Sequence, residues 1–420
     1  MKRVIFHIDV NSAFLSWEAV YRIHHLGAKV DLRNEVAAVG GDMAMRHGII
    51  LAKSIPAKKY HIQTGESIME AKQKCPHLKL VPPNYELYES CSQAFMEILR
   101  QYSPDVEQYS IDEAFIDMTG TEKIWGEPIE AADRIRNQIR EELGFTVNIG
   151  ISENKLLAKM ASDLKKPDMV HTLWHDEIQQ KMWCLPVSEL FFVGRATAKK
   201  LFSLGIKSIG QLAQSDPHML KKIFKKHGEI IWGFANGIDV SVVQSEAPAN
   251  KGYGNSTTIA FDVTDISVAK LILLALSETV GMRLREAEVK AQVIAVGIKS
   301  FDLAYASHQM TLQNSTNITI EIHRYACQLF DSLWDGTPIR HLGIHTSRIK
   351  DKIDMRQINM FDDTDYDKLE CMDETVDRIR RRYGKDSLKR APFIGSRIDH
   401  MSGGISREKR TVDYSKTRVE

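Results

Sequence analysis

The chain has 420 residues, of which 43% are hydrophobic and 26% charged, and its formal net charge is +1. This length predicts two to four domains, and the near-neutral total does not exclude nucleic acid as a partner, because a basic face can be local. No apolar run reaches the roughly 20 residues that span a membrane, and the five cysteines show no CxxC spacing. We therefore expect a cytoplasmic protein with reduced thiols and no membrane association.

Hydrophobic patterns divide the first 165 residues into strands and helices. The predicted strands are 4–10, 36–39, 109–117 and 146–151, and the predicted helices are 12–26, 66–75, 85–102, 128–143 and 153–165. With a strand pair around 109–118, the outer elements follow a β-α-β-β-α-β order, which builds a ferredoxin-like sheet. Residues between the first helix and the acidic segment at 109–117 form a small insertion.

Three carboxylates lie at strand ends in this pattern. Asp9 ends the first strand, and the adjacent Asp112 and Glu113 lie within 109–117. Because neighbours in a regular strand point to opposite faces, the backbone must bend if both serve one site. Carboxylate oxygens at sheet ends suit Mg²⁺, and two such ions about 3.5–4 Å apart activate an attacking oxygen and stabilise a leaving one. A solvated acidic pair at a turn is the alternative.

Lysines follow the sheet. Ser152 is the predicted N-cap of helix 153–165, whose wheel groups Lys155, Lys159 and Lys166 on the face opposite the apolar stripe. This basic stripe could hold phosphates or be an ordinary wet helix face. Lys58, in the turn 54–60, presents the same choice.

Short helices with glycine turns are predicted from 185 to 237. Gly194 precedes a helix with Lys199 and Lys200 facing out, which suits sequence-independent contact with a DNA backbone. A neutral helical spacer is the alternative. A linker with Ser, Pro, Ala, Asn and Gly follows at 240–252.

A second β-α-β-β-α-β pattern follows the linker and indicates a separate compact domain. Its predicted strands are 254–263, 290–301, 304–312 and 338–348, and its predicted helices are 266–287 and 317–335. Beyond it, Gln357, Met360 and Phe361 stand in an Asp-rich, apolar-poor stretch, which indicates either a docking peptide or a tether to the chain's own body.

Four motifs in this order resemble those of the Y-family translesion DNA polymerases. They are Ile8-Asp9-Val10-Asn11-Ser12-Ala13-Phe14, Ser54-Ile55-Pro56-Ala57-Lys58-Lys59-Tyr60, Ser110-Ile111-Asp112-Glu113-Ala114, and the segment from Gly150 to Pro167. The resemblance covers roughly residues 3–361 and is nearest to the UmuC/DinB-type branch, in a Gram-positive bacterial form.

The resemblance implies an α+β right-hand architecture with a ferredoxin-like palm, small fingers, a helix-hairpin-helix thumb and a βαββαβ little finger. The implied boundaries are palm 1–11 and 85–173, fingers 12–84, thumb 174–240, linker 241–251, little finger 252–350, and a C-terminal tail 351–420 with a sliding-clamp motif at 357–361.

The resemblance also implies roles for individual residues. It assigns two Mg²⁺ ions to Asp9, the Val10 carbonyl, Asp112 and Glu113. It implies nucleotide contacts from Ser12, Ala13, Phe14, Lys58 and Lys166, with Phe14 as the steric gate against a ribose 2′-hydroxyl. Gly194, Lys199 and Lys200 would contact DNA, and Gln357, Met360 and Phe361 would bind the clamp.

Three residues depart from the family pattern. Ile55 stands where many members have a tyrosine that contacts triphosphate, and Lys58 stands where many have an arginine that can grip phosphate bidentately. Phe192 replaces the first glycine of the thumb hairpin, where glycine allows close approach of the backbone to phosphate.

The expected activity is template-directed, low-fidelity DNA synthesis past damaged bases without proofreading, by a nucleoid-associated monomer acting on primer-template DNA and dNTPs. Two alternatives stay open. One is a catalytically inactive, clamp-bound DNA-binding protein of the same fold, and the other is a cyclase-like enzyme built on a similar palm sheet.

Overall fold

The computed structural model describes residues 2–41, 48–246, 248–357, 364–401, 412 and 414. They form two compact units, one built mainly from residues 1–40 and 49–247 and the other mainly from residues 248–410. Each unit has its own sheets and its own apolar core, as expected for separate domains.

The first unit contains both strands and helices, numbered here in chain order. The strands are β1 (Ile5–Val10), β2 (Ala37–Gly40), β3 (Ile50–Lys53), β4 (Lys79–Val81), β5 (Val106–Gln108), β6 (Glu113–Asp117), β7 (Val147–Ser152) and β8 (Val170–Thr172). The helices are α1 (Ala13–Leu26), α2 (Ile55–Lys58), α3 (Ile68–Lys74), α4 (Tyr85–Arg100), α5 (Glu122–Trp125), α6 (Pro128–Leu143), α7 (Lys155–Asp163), α8 (Ile178–Lys181), α9 (Arg195–Ser203), α10 (Ile209–Ala213), α11 (Pro217–Phe224) and α12 (Lys226–Ala235).

The main sheet has the order β5-β6-β1-β7-β8. Strand β1 runs antiparallel to β6 and β7, and β8 adds a parallel edge strand. Phe6 and Ile8 of β1 join the core with α4 and α6, whereas Ile5 packs with Phe115 and Ala158 under α7 on the other face. Burial of both faces explains why residues 4–10 read as an almost continuous apolar run. The predicted ferredoxin-like sheet is confirmed.

Helix α7 begins later than predicted. Asn154 is its N-cap, with the side-chain carbonyl accepting a hydrogen bond from the Leu157 N–H. The predicted N-cap at Ser152 is wrong, because that residue still pairs with Ile5 as the last residue of β7. The helix ends at Asp163 rather than at the predicted residue 165.

Two smaller parts complete the first unit. A three-stranded sheet of order β3-β2-β4 occupies the small insertion, with α2 and α3 beside it. Helices α8 to α12 contribute to a separate apolar core that includes Leu201, Ile209 and Ile231. These parts correspond to the fingers and thumb of a right-hand architecture.

The second unit confirms the predicted β-α-β-β-α-β order. Its elements are β9 (Gly252–Val263), α13 (Ile266–Glu286), β10 (Val289–Ser300), β11 (Tyr305–Thr316), α14 (Thr319–Leu333), β12 (Ile339–Asp351) and α15 (Tyr366–Tyr383). The antiparallel sheet has the order β11-β10-β12-β9, and α13 and α14 cover it.

Helix α15 is attached to the second unit by buried ion pairs. Arg285 of α13 binds Asp377 at 2.6 Å and Asp373 at 3.3 Å. Glu278 of α13 forms ion pairs with both Arg380 and Arg390. Helix α15 is thus part of this unit's packed structure rather than a loosely ordered extension.

Candidate active site

Two of the three candidate carboxylates face each other across neighbouring strands. Asp9, near the end of β1, pairs in register with Glu113, the first residue of β6. Both residues lie on the sheet face covered by α7, because His7 and Phe115, each two positions away, touch each other on that face. Asp9 is only 9% exposed.

Asp112 lies in the turn before β6, so the backbone bends where the sequence required a bend. The Tyr109 and Ser110 N–H groups both donate to the Glu113 carbonyl, and the Ser110 hydroxyl donates to Asp112 Oδ1 at 2.7 Å. The Val10 N–H donates to the Asp112 carbonyl at 3.0 Å, which ties this turn to the end of β1.

Lysines neutralise the facing carboxylates. Lys166, in the loop after α7, contacts Asp9 and lies 2.9 Å from Asp163. Lys159 of α7 donates to Glu113 Oε2 at 2.7 Å. Lys155, one turn earlier, binds Glu107 of β5 at 2.7 Å in the same way. The predicted basic stripe is therefore not a wet face: Lys155 and Lys159 point at the sheet.

These contacts shift the protonation equilibria. Burial raises the pKa of the Asp9 carboxyl to about 6, against the opposing charge of Lys166. Burial would also raise the pKa of Glu113, but the His7 contact and the Lys159 ammonium lower it to about 2. Burial lowers the pKa of His7 to about 4. Glu113 is therefore ionised at neutral pH. Carboxylates of this site favour a positive charge beside them, which the Lys159 and Lys166 ammonium groups provide.

The site chemistry fits a divalent cation. Asp9, Asp112 and the Val10 carbonyl are hard oxygen donors lining one cleft, Glu113 faces Asp9, and two ammonium groups already occupy carboxylate oxygens that a cation would take. Among the described residues, however, no three His, Cys, Asp or Glu side chains lie close enough together to hold an ion as they stand, so these oxygens would have to exchange their lysine contacts and draw together around a cation.

The cleft has a volume of about 490 Å³ and lies between β1, the start of α1 and the fingers. Asp9, Asp112, Ser12, Ala13, Phe14, Lys58 and Lys166 line it together. The Phe14 ring stacks on buried Tyr88 at 4.5 Å, with an interplanar angle of 7°, and meets Tyr85 edge-on at 5.9 Å. Two aromatic neighbours thus fix the ring that borders the cleft.

The fingers add cations to the same cleft. Lys53, at the end of β3, and Arg33 line it beside Lys58, although the sequence analysis singled out only Lys58. Burial and the neighbouring Lys58 charge lower the pKa of Lys53. Ile55 also lines the cleft and contributes an apolar side chain to it. The short apolar run Ile50-Leu51-Ala52, which ends in Lys53, was the available signal for Lys53.

His7 is a second residue that the sequence analysis missed. It is fully buried in β1, its Nδ1 lies 2.8 Å from the Ser162 hydroxyl, and its Nε2 lies 3.5 Å from Glu113 Oε2. An imidazole within an otherwise apolar strand, two residues before a candidate carboxylate, was the only sequence signal for this contact.

The candidate DNA-contact residues of the first unit are not among the residues that line the cleft. Gly194 is the N-cap of α9, and Lys199 and Lys200 of that helix are exposed. In the second unit, the Gln357 N–H donates to Asn314 Oδ1 at 2.8 Å. Met360 and Phe361 lie outside the described residues.

Comparisons with known proteins agree with this fold. The model of the impB/mucB/samB family matches residues 8–163, and that of its C-terminal domain matches residues 250–360. A solved structure of a Y-family DNA polymerase chimera aligns with a TM-score of 0.70 over 82% of this chain and 99% of that chain, at 22% identity. This likeness defines the fold as that of the right-hand Y-family enzymes.

Curated relatives place the chain within that class. DNA polymerase IV of Clostridium acetobutylicum is 45% identical over 94% of this chain and 99% of its own length. The enzymes of the same name from Acetivibrio thermocellus and Clostridium kluyveri are 38% and 37% identical, each over 94% of this chain and 99% of that protein. The chain therefore belongs to the Y-family of DNA polymerases, in its UmuC/DinB-type branch.

Among the helices that the structure describes, none combines the length and hydropathy that crossing a bilayer requires.

Proposed function

We propose that this chain is a DNA-directed DNA polymerase that carries out low-fidelity translesion synthesis without proofreading. The observation that carries the proposal is the in-register pairing of Asp9 with Glu113 beside a cleft that also contains Asp112, Phe14 and lysines. Relatives named DNA polymerase IV, aligned over almost their whole length, support it.

In the proposed reaction, the primer 3′-oxygen bonds to the α-phosphorus of the paired dNTP, and the bond to the bridging oxygen of pyrophosphate breaks. Divalent metal use is general in such nucleotidyl transfer; two Mg²⁺ ions held by Asp9, the Val10 carbonyl, Asp112 and Glu113 would supply activation of the attacking oxygen and charge stabilisation. The residues of the chain contribute mainly by positioning and electrostatics.

The cleft supplies matching contacts for the nucleotide. Lys53, Lys58 and Lys166 place positive charge where a triphosphate would lie. The Phe14 ring, fixed by Tyr88, would meet a ribose 2′-hydroxyl but leave room for deoxyribose. Ser12 and Ala13 would contact the same nucleotide through the start of α1, where Ser12 has a φ of 51°.

The proposal extends to DNA and protein partners. The exposed Lys199 and Lys200 would contact the DNA backbone without reading sequence. The segment 357–361 would bind the sliding clamp of the replicase, and the enzyme would act as a monomer at the nucleoid. Replacing both Met360 and Phe361 by alanine should remove stimulation by the clamp while leaving distributive synthesis unchanged.

The test of the activity is extension of a labelled primer by the full chain, with Mg²⁺, on undamaged and abasic templates. Glu113→Gln should lower the extension rate by more than about a hundredfold. Loss of an outer-shell partner of a metal ligand can already cost about 10–100-fold, and Glu113 is proposed as a ligand itself. Glu107→Gln is the matched control, because Glu107 binds Lys155 at the same 2.7 Å distance one helical turn away.

The outcomes separate the alternatives. Wild-type protein that binds primed DNA but never extends it would support the inactive accessory protein instead. Equal rates for Glu113→Gln and wild type would remove Glu113 from the reaction, and equal loss in Glu107→Gln would assign the effect to packing of α7.

A further inference from the structure

The thumb turn at 190–193 holds an aromatic side chain in a strained conformation. The Val193 N–H donates to the Leu190 carbonyl at 2.9 Å, which closes a β-turn with Phe192 in its third position. Phe192 has a φ of 72°, in the left-handed region. This position of a type II turn favours glycine, because a side chain there costs free energy.

Packing accounts for only one side of the Phe192 ring. The ring meets Phe191 edge-on at 4.7 Å and Phe234 edge-on at 5.6 Å, yet it remains 53% exposed. A half-exposed aromatic side chain contributes little core packing in exchange for its backbone strain. Strained residues are retained chiefly where the strained group has a function.

Phe192 lies at one end of an aromatic ridge, formed by Tyr109, Phe191 and Phe192, that leads from the candidate active site. Phe191 lies 6.3 Å from the exposed Tyr109 ring, and the Lys159 ammonium, which binds Glu113, lies 5.5 Å from Phe191. The ring centroids along the ridge are 6.3 and 4.7 Å apart, each more than the axial rise of one nucleotide of a DNA strand.

Cations flank the far end of the ridge. Three residues after Phe192, helix α9 begins with exposed Arg195 and continues with exposed Lys199 and Lys200. Basic side chains around an exposed aromatic ring fit a nucleic-acid strand, whose phosphates meet the cations while a sugar or base meets the ring. An acidic peptide would satisfy the cations but would not explain the continuity of the ridge with Glu113.

We propose that Phe192 packs its exposed ring face on a deoxyribose of the primer strand, within a few nucleotides of the 3′ end. The inference rests on the proposed polymerase function. Because an apolar contact releases no counterions, its contribution to affinity does not depend on salt.

The test measures equilibrium binding of the full chain to a fluorescent primer-template by anisotropy across a series of KCl concentrations. Phe192→Gly removes the ring and relieves the strain. We expect about a tenfold loss of affinity, with the slope of log affinity against log salt unchanged. Phe192→Tyr keeps the ring and should bind as tightly as wild type.

Two control variants test whether the effect on affinity is specific to the Phe192 ring. Replacing Lys199 and Lys200 together by alanine should lower both the affinity and the salt slope, the slope by about 0.9 for each phosphate that the protein no longer neutralises. Ile129→Ala should change neither; Ile129 lies on α6, outside the proposed DNA-contact residues, and is as exposed as Phe192, at 53%.

Wild-type affinity in Phe192→Gly would overturn the inference, and so would a loss of affinity accompanied by a shallower salt slope. If circular dichroism shows that Phe192→Gly is unfolded, Phe192→Asn replaces it, because asparagine tolerates the left-handed region. Wild-type protein that fails to bind primed DNA would instead refute the proposed function. Retained binding in Phe192→Gly, with weakened binding in the lysine variant, would refute the inference alone.

Discussion

Gly150 of β7 controls how closely α7, and with it Lys159, approaches the sheet. A Cβ atom at residue 150 would lie 2.0 Å from the Ala158 carbonyl oxygen, 2.3 Å from the Ser162 nitrogen and 2.9 Å from the Ala161 Cβ. Two of these three atoms are helix backbone, which cannot move aside alone. In Gly150→Ala, α7 must therefore withdraw by roughly 1 Å.

The expected cost has two parts. Overpacking should lower the free energy of unfolding by about 1–3 kcal/mol, measured by urea denaturation. Withdrawal of α7 also moves Lys159 from Glu113, and a misplacement of about 1 Å can lower a rate about a hundredfold. Primer extension at 20 °C, where the variant should still be folded, measures this second part.

Gly233→Ala is the matched control. Its added Cβ would make only ordinary contacts, at 3.8 and 3.9 Å to Ile238, and alanine in the interior of α12 should stabilise the protein by about 0.5–1 kcal/mol. The two glycine substitutions thus have opposite predicted signs. A Gly150→Ala variant with unchanged urea midpoint and wild-type extension would refute the close packing of α7 on β7.

Two further predictions concern the nucleotide gate and the second unit. Phe14→Ala should lower dNTP-over-rNTP discrimination at least about tenfold. Tyr88→Leu should lower it less, because the Phe14 ring keeps its contact with Tyr85. Unchanged dNTP/rNTP ratios in single-nucleotide insertion would contradict the gate assignment. Glu278→Ala leaves the buried Arg380 without its carboxylate partner, while Arg390 keeps its pair with Asp373, and should cost about 3–5 kcal/mol of unfolding free energy. Glu374→Ala breaks an exposed pair with Lys352 and should cost about 0–1 kcal/mol. Burial raises the pKa of Glu278, but the charges of its two arginines lower that pKa overall. The stabilisation by Glu278 is therefore present above the ordinary pKa of 4.5 and is lost as pH falls below it. The urea midpoints of wild type and Glu278→Gln should converge at low pH, and midpoints that stay apart would contradict this.

The strand-end carboxylates could be predicted because both signals are local. An apolar run that ends in Asp9 marks the end of a buried strand, and adjacent carboxylates at 112 and 113 require a bend if both serve one site. The structure supplies that bend by starting β6 at Glu113 and leaving Asp112 in the turn. Such features depend on a few neighbouring residues, which a single sequence displays.

The partners of the lysines could not be predicted, because they depend on tertiary packing. The helical wheel of α7 groups Lys155 and Lys159 correctly, but it does not say what their face meets. Only the register of β5, β6 and β1 brings Glu107 and Glu113 beneath them. The misplaced N-cap at Ser152 has the same origin, since pairing with β1 overrode a local capping preference.

The pairing of Lys166 with Asp9 constrains how the site accepts a nucleotide. This ammonium contacts Asp9 and Asp163 in the structure, whereas the family resemblance places it on the triphosphate. The ammonium has three N–H donors, two of which already contact Asp9 and Asp163, so we propose that Lys166 gives up Asp9 when it binds several phosphate oxygens. The separation uncovers the Asp9 oxygens just as phosphate negative charge arrives, and a cation arriving with the phosphates would offset the resulting repulsion. On this proposal, Lys166 would be a temporary counter-charge that favours the ionised form of the buried Asp9 carboxyl until substrate binds.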